Sequence, residues 1–171
     1  GATHDRFRRK AGAFDASLAA VRRCRDLGIK VGVRFTLTQD NAHDFEPLLE
    51  LTEAEGIPRF YFSHLNYAGR GHVNRRRDAQ FATARRAMDV LFARCLDFAR
   101  RGVSRDYTTG NNDADGVYFL QWARRHLPGL DEAGLRARLA AWGGNSSGVN
   151  VANIDNLGNV HPDTMWWDCT L

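Results

Sequence analysis

The 171 residues carry a net charge of +4 and are 43% hydrophobic and 26% charged, a composition typical of a globular domain with its own core. No apolar run approaches the length of about 18 residues that a membrane span needs, so none is predicted. The sparse, odd set of three cysteines argues against a disulfide framework and indicates a reducing, cytoplasmic setting.

Hydrophobic periodicity and helix-ending glycines divide the chain into alternating helices and strands. In chain order, we predict a helix over 14–27, a strand over 29–37, a helix over 44–55, a strand over 59–65, a loop over 67–77, a long helix over 78–101, a short strand over 103–107, a polar loop over 108–115, and helices over 117–127 and 132–142. Asp44 and Asp131 are suitable N-caps for the helices that follow them. Strands separated by helices predict a parallel sheet with right-handed crossovers.

The character of the sequence changes after the pair Gly143 and Gly144. Residues 148–163 predict a β-hairpin around a glycine turn, followed by an aromatic tail. We therefore divide the chain into an α/β part, residues 1–127, and residues 128–171, which hold a linker helix and the start of a second structural unit.

Candidate site residues lie where the predicted parallel strands end, because ligands of α/β folds bind at those ends. They are Arg34 and Thr36 on the first strand, Ser63, His64, Leu65, Asn66, Tyr67 and Arg70 after the second, Asn111 and Asn112 after the third, and His4, Asp5 and Arg6 after a strand expected before residue 1. Alternation places Arg34 and Thr36 on the side opposite Val33 and Phe35. An arginine directed into a barrel needs an anionic partner, and a bound ligand is one candidate.

Simpler explanations for some of these residues stay open. His64 is equally well explained as a hydrogen-bonded histidine at a strand end, and Asn111 and Asn112 as turn residues. Cys95 lies within an apolar helix stripe and is expected in the core. Cys169 follows two tryptophans in a loop-like tail, where metal ligation and no role at all are both open.

Five segments in order carry a resemblance to a known family. They are THDRFR at 3–8, GIKVGVRFTLT at 28–38, FYFSHLNYAGRG at 60–71, YTTGNNDADGVYF at 107–119 and GGNSSGVNVANIDNLGNVHPDT at 143–164. Together they resemble radical S-adenosylmethionine (radical SAM) enzymes, and most nearly those of haem d1 biosynthesis. The resemblance covers essentially the whole chain.

The resemblance implies a fold and a chemistry. The fold is the C-terminal half of a partial (β/α)6 TIM-type barrel with parallel strands, followed by helices, a β-hairpin and the start of a SPASM-like extension. In this family a 4Fe–4S cluster on a CxxxCxxC motif binds S-adenosylmethionine and forms a 5′-deoxyadenosyl radical. That motif is expected before residue 1, so the chain alone is expected to be inactive.

The implied substrate is a didecarboxysirohaem-type tetrapyrrole that loses propionate side chains, with an electron donor such as flavodoxin or ferredoxin. Carried over by position, the S-adenosylmethionine contacts are Arg34, Thr36, Ser63 and Leu65, and the substrate contacts are His64, Asn66, Tyr67, Arg70, Asn111 and Asn112. SPASM domains usually place auxiliary-cluster cysteines where this chain has Asn145–Ser147 and Asp163. Cys169 is then the remaining candidate ligand for an auxiliary Fe–S cluster.

Two other functions compete with this interpretation. One is a SPASM-type radical SAM enzyme that modifies a peptide or matures a sulfatase. The other is a non-enzymatic basic α/β module that binds nucleic acid through the arginine clusters at 6–10 and 75–77. The sequence lacks an aromatic–basic RNA-binding motif, so no nucleic-acid partner is expected.

Overall fold

The computed structural model describes residues 1–110 and 112–171. The chain divides into two compact units: the first comprises Gly1–Leu65 and Arg77–Asn112, and the second comprises Asn66–Arg76 and Asp113–Leu171. The division predicted at residues 127 and 128 stays a prediction.

Helices and strands alternate through most of the chain, as the periodicity predicts. The helices are α1 (Ala2–Arg8), α2 (Ala13–Asp26), α3 (Phe45–Ala54), α4 (Arg70–Val73), α5 (Phe81–Arg100), α6 (Ala114–His126) and α7 (Glu132–Trp142), with 3₁₀ turns at Ala42–Asp44 and Arg75–Arg77. The strands are β1 (Gly32–Thr36), β2 (Arg59–Ser63), β3 (Asp106–Gly110), β4 (Asn153–Ile154) and β5 (Val160–His161). The α/β class is confirmed. Within the described part of the chain, no helix has the length and apolarity of a membrane span.

The first unit is built on a parallel sheet with the strand order β1-β2-β3, which confirms the predicted parallel pairing. Neighbours across the strands are Arg34, Tyr61 and Thr108 at one level, and Thr36, Ser63 and Gly110 two residues further on. We call the side that carries these six residues the polar face. Among the described residues, β1 and β3 each pair only with β2, so the sheet is open and not a closed barrel.

The opposite side, the apolar face, is covered by α3 and α5. The ring of Phe45 on α3 lies 5.4 Å from that of Phe35, 6.1 Å from Phe60 and 5.3 Å from Phe62, measured between centroids. Phe60 and Phe62 are almost completely buried. Each buried aromatic side chain stabilises the fold by about 1.5–3 kcal/mol through removal from water, so this layer holds the sheet in place.

The third strand begins later than predicted: β3 covers Asp106–Gly110 and not 103–107. Gly102 has a φ of +66°, and the N–H of Val103 donates to the carbonyl of Phe98 at 2.9 Å, so these residues still close the end of α5. As a result, the two threonines that were predicted in a loop, Thr108 and Thr109, belong to the sheet.

Two further predictions are wrong. Residues 67–77 are not all loop, since they contain α4 and a 3₁₀ turn. His4, Asp5 and Arg6 lie on helix α1 and not in a loop, while the strand expected before residue 1 stays a prediction. A short polar helix of this kind gives a weak periodic signal, because few of its positions are apolar.

In the second unit, the predicted N-cap of α7 is confirmed: Asp131 accepts a hydrogen bond from the N–H of Gly134 at 2.9 Å. Near the end of the chain, β4 and β5 pair antiparallel over two residues each. The turn between them is closed by Asp155, whose carboxylate accepts from the N–H groups of Leu157 and Asn159 at 2.8 and 2.9 Å. Polar contacts therefore define this short hairpin.

Candidate functional site

Arg34 is the most distinctive residue of the polar face. Its side chain is exposed, and its Nη2 donates to the hydroxyl of Ser63 at 3.2 Å. Its guanidinium carbon lies 4.8 Å from the centroid of the Tyr61 ring. No carboxylate among the described residues forms an ion pair with Arg34. The guanidinium therefore keeps most of its donors available for an external anion.

A cavity of about 350 Å³ lies beside β1 and is lined by residues of α1, α2, β1 and α3. Its walls include Arg8, Arg34 and Thr36 together with the apolar side chains of Phe14 and Leu51. Because side chains from both faces of β1 contribute, the cavity lies along the edge of this strand. The walls also include Asp44, so they combine basic, acidic and apolar side chains, and Arg34 is the group that suits an anion.

Asn41 holds the chain where it leaves β1. Its Nδ2 donates to the carbonyl of Thr36 at 2.9 Å, and its Oδ1 accepts from the N–H of Thr38 at 2.8 Å. The side chain thus fixes the C-terminal end of the strand that bears Arg34. No role was predicted for Asn41, which lies in residues 38–43 between strand and helix, although asparagine side chains often form hydrogen bonds with the neighbouring backbone in turns.

Asp5 has a structural role at the junction of α1 and α2, two helices that line the cavity. Its carboxylate accepts from the N–H groups of Phe14 at 2.8 Å and Gly12 at 2.7 Å. These hydrogen bonds, that of Phe14 first, hold the pKa of Asp5 below its usual value. They join α1 to α2, and the ring of His4 packs edge-on to Phe14 at 5.9 Å between centroids.

The residues predicted at the end of β2 do not all lie on one side. Ser63 is fully buried on the polar face beside Arg34. His64 donates its backbone N–H to the carbonyl of Gly110 at 3.2 Å, and its ring packs edge-on to Phe62, a residue of the apolar face, at 5.2 Å. Leu65 is half-buried. Arg34, Thr36 and Ser63 are therefore brought together, and the ring of His64 is directed elsewhere.

The other predicted contacts belong to different parts of the chain. Asn66, Tyr67 and Arg70 lie in the second unit, where the Asn66 side chain accepts from the N–H of Ala68 at 3.1 Å, as turn asparagines do. Asn112 is exposed and lies in the first unit. Asn111 lies outside the described residues. The proposed substrate contacts of all these residues stay predictions.

The residues near the C-terminus do not fit an auxiliary iron–sulfur cluster. At the positions where SPASM domains usually have cysteines, Ser147 donates its hydroxyl to Asp163 at 2.6 Å. Cys169 is exposed, and its carbonyl accepts from the ring of His161 at 2.8 Å. Throughout residues 1–110 and 112–171, no three His, Cys, Asp or Glu side chains come together as a metal site. We assign no reaction step to such a cluster.

Two residues of the polar face were not predicted as site residues. Tyr61 lies under the Arg34 guanidinium, and Gly110 lies at the end of β3, level with Ser63. Alternation along β2 places Tyr61 on the same side as Ser63, and this signal was available in the sequence. The position of Gly110 was not predictable, because it depends on the true start of β3.

Comparison with known proteins identifies relatives along the whole chain. The pre-heme d1 synthase of Dinoroseobacter shibae is 55% identical over 172 residues, which cover 100% of this chain and 43% of the relative. The Fe-coproporphyrin III synthase of Methanosarcina barkeri is 36% identical over 164 residues, 96% of this chain and 41% of the relative. The AdoMet-dependent heme synthase of Nitratidesulfovibrio vulgaris is 36% identical over 69 residues, 40% of this chain and 19% of the relative.

The chain thus spans less than half the length of the curated relatives that it matches. No protein-family model matches it, and no solved structure matches it at a significant level. The 55% identity to the Dinoroseobacter shibae protein, over an alignment that covers the whole chain, is nevertheless far beyond chance similarity. The five ordered segments and these relatives lead to the same conclusion: the chain belongs to the radical SAM family.

Proposed function

We propose that the whole protein is a radical SAM enzyme of haem d1 biosynthesis that removes propionate side chains from a didecarboxysirohaem-type tetrapyrrole. The observation that carries the proposal is Arg34, an arginine on the polar face of a parallel sheet with no carboxylate partner among the described residues. The printed names of the relatives, a pre-heme d1 synthase and an Fe-coproporphyrin III synthase, favour a tetrapyrrole as the substrate.

Arg34 would bind the carboxylate of S-adenosylmethionine. A guanidinium matches a carboxylate through two parallel hydrogen bonds, and such charge-assisted bonds are about twice as strong as neutral ones. The hydroxyls of Thr36 and Ser63, which are neighbours across β1 and β2, would bind the ribose. Leu65 would pack against the adenine. When bound, the cluster and S-adenosylmethionine supply a radical able to abstract hydrogen from the substrate.

The cavity has Arg34 and Thr36 among its lining residues, and the exposed guanidinium of Arg34 can form two parallel hydrogen bonds with a carboxylate. The residues of this chain therefore bind and orient the cofactor, and the cluster ligands are expected in another part of the protein.

The substrate side of the proposal rests on the family resemblance. His64, Asn66, Tyr67, Arg70, Asn111 and Asn112 are the proposed contacts to the tetrapyrrole. Arg70 is exposed at the start of α4 and can offer a guanidinium to a propionate. A flavodoxin or ferredoxin is the proposed electron donor.

The test uses the whole protein with its cluster reconstituted under anaerobic conditions. With a chemical reductant, we expect 5′-deoxyadenosine to form and the didecarboxysirohaem mass to fall by the loss of its propionate groups, both followed by mass spectrometry. S-adenosylmethionine cleavage with an unchanged tetrapyrrole would contradict the substrate and favour a peptide- or sulfatase-modifying enzyme. Failure to bind or cleave S-adenosylmethionine would contradict the proposal as a whole.

A further inference from the structure

Tyr61 stands between Arg34 and Gly110 on the polar face of the sheet. It pairs in register with Arg34 on β1, and the guanidinium carbon of Arg34 lies 4.8 Å from its ring centroid. Its hydroxyl extends toward Gly110, which is level with Ser63, two residues beyond Tyr61. The phenol therefore leans along the sheet toward the C-terminal ends of the strands, where ligands of parallel folds bind.

Gly110 is the residue that leaves space for this ring. A Cβ atom built at position 110 would lie 1.8 Å from the Tyr61 hydroxyl oxygen and 2.5 Å from the ring carbon that bears it. Both distances are far below any van der Waals contact, so a side chain at this position would force the ring to move. The Tyr61 ring can therefore take this orientation only because residue 110 has no side chain.

The Arg34 side chain is long and exposed, and it would otherwise populate many rotamers. Two contacts restrict it: the Tyr61 ring beneath the guanidinium plane and the Ser63 hydroxyl at 3.2 Å from Nη2. A cation over an aromatic ring is attracted by the ring's negative face and keeps its N–H donors free at the edges. The arrangement restricts the guanidinium and leaves most of its donors available.

We propose that Tyr61 is a positioning residue that aims the Arg34 guanidinium at the ligand carboxylate, with Gly110 providing the space that the ring needs. The inference rests on the proposed function, since it takes Arg34 as the carboxylate-binding residue. It assigns the effect to the aromatic ring and not to the phenol hydroxyl. It also predicts that a side chain at position 110 affects ligand binding by displacing Tyr61.

The test measures the dissociation constant of S-adenosylmethionine for the reconstituted whole protein. Replacing Tyr61 by leucine removes the ring, and we expect affinity to fall about threefold, the range of an exposed cation–π contact. Tyr61→Phe retains the ring, and we expect affinity close to the wild type. Gly110→Ala displaces the ring, and we expect a loss similar to that of Tyr61→Leu.

A matched control separates positioning from general destabilisation. Phe60 precedes Tyr61 on the same strand but faces the apolar core, so Phe60→Leu should lower stability and leave affinity for S-adenosylmethionine unchanged. In the Arg34→Gln background, Tyr61→Leu should have no further effect, because the residue that it positions is gone. A merely structural Tyr61 would weaken binding in both backgrounds.

Several outcomes would overturn the inference. If Tyr61→Phe loses as much affinity as Tyr61→Leu, the hydroxyl binds the ligand directly and the positioning role is wrong. If Arg34→Gln weakens binding but Tyr61→Leu and Gly110→Ala do not, Arg34 needs no positioning by the ring. Should Tyr61→Leu fail to fold, Tyr61→Phe and Gly110→Ala still decide. A wild-type protein that does not bind S-adenosylmethionine would instead contradict the proposed function itself.

Discussion

The two compact units of the chain are stabilised by different interactions. The first has a continuous aromatic layer in which Phe45 contacts three phenylalanines of the sheet. The second buries Leu120, Trp122 and Ala123 of α6 but exposes many other large apolar side chains, and hydrogen bonds organise its C-terminal part. Its exposed apolar residues are Tyr67, Val73, Val117, Trp142, Val149, Val151, Ile154, Leu157, Met165, Trp166, Trp167 and Leu171.

Because of this difference, the first unit is the one that can hold binding residues in fixed positions. A layer of buried rings holds β1 and β2 from behind, so the polar face in front has a fixed geometry. Near residues 145–171, by contrast, Asp155 and Asp163 carry much of the structure through hydrogen bonds to nearby backbone. Binding that needs precise orientation is therefore best explained by the first unit, where Arg34 and Ser63 lie.

The largest expected effect is the loss of stability on removal of the central ring of the first unit. Phe45→Ala should lower the free energy of unfolding by about 3–5 kcal/mol, because it leaves a cavity against three sheet residues. Phe81→Ala makes the same chemical change at a side chain that is 71% exposed, and should cost much less. Denaturant unfolding measures both. Equal losses would show that the aromatic layer does not dominate this unit.

A smaller effect is expected at the start of α7 in the second unit. Asp131→Ala removes the side-chain acceptor for the Gly134 N–H and should lower stability by about 1 kcal/mol. Asp131→Asn keeps an acceptor of the same shape, so its unfolding midpoint should stay near that of the wild type. A loss as large as that of Phe45→Ala would contradict the contrast between the two units.

The smallest effect is a pH dependence of the hairpin. His161 is buried, and its ring nitrogens lie 2.8 Å from the Cys169 carbonyl and 3.3 Å from the Asp155 carboxylate. These two acceptors, the carbonyl first, raise the pKa of His161. Hydrogen bonds centred on Asn159 hold the pKa of Asp155 below its usual value, so Asp155 remains ionised unless the solution is strongly acidic.

The raised pKa of His161 determines how the stability of the hairpin changes with pH. A group whose pKa is raised on folding contributes its full stability below its unfolded pKa, which is about 6.5 for histidine, and loses it as the pH rises through the folded value. The amides of Asn159 and Leu171 should therefore exchange hydrogen faster above neutral pH, after correction for the intrinsic rate. Asp155→Asn should lower the pKa of the His161 ring, measured by NMR. A ring that titrates below 6.5 in the wild type would contradict this account.

The strands β1 and β2 and the helix α5 of the first unit were predictable because the sequence patterns that identify them are local. Strict alternation identified β1, and the aromatic run identified β2. The apolar stripe of α5 was equally clear: Met88, Leu91 and Phe92 are buried. Asp131 was recognised as an N-cap from its type and position, whereas the side chain of Asp44, predicted in the same way, forms no cap hydrogen bond with α3. These features depend on residues only a few positions apart.

Features that depend on distant contacts were missed. The third strand was predicted over 103–107, and residues 108–110, predicted as loop, belong to β3 because they pair with β2. Arg34 was identified as a site residue by its position in an alternating strand. Tyr61 was not singled out, although alternation along β2 places it on the same side as Ser63, and the position of Gly110 depends on the register of β3. Tertiary pairing overrode local propensity in β3.

The central claim is that Arg34 binds the carboxylate of S-adenosylmethionine, and calorimetric titration of the reconstituted whole protein tests it most directly. Arg34→Gln should lower affinity for S-adenosylmethionine about tenfold or more and leave affinity for its decarboxylated analogue unchanged. The matched control is Arg59→Gln. Arg59 lies on the same strand as Tyr61 and forms an ion pair with Asp106 at 3.2 Å, so its replacement should change the affinity for neither ligand. An equal loss for both ligands in Arg34→Gln, or no loss for either, would contradict the claim.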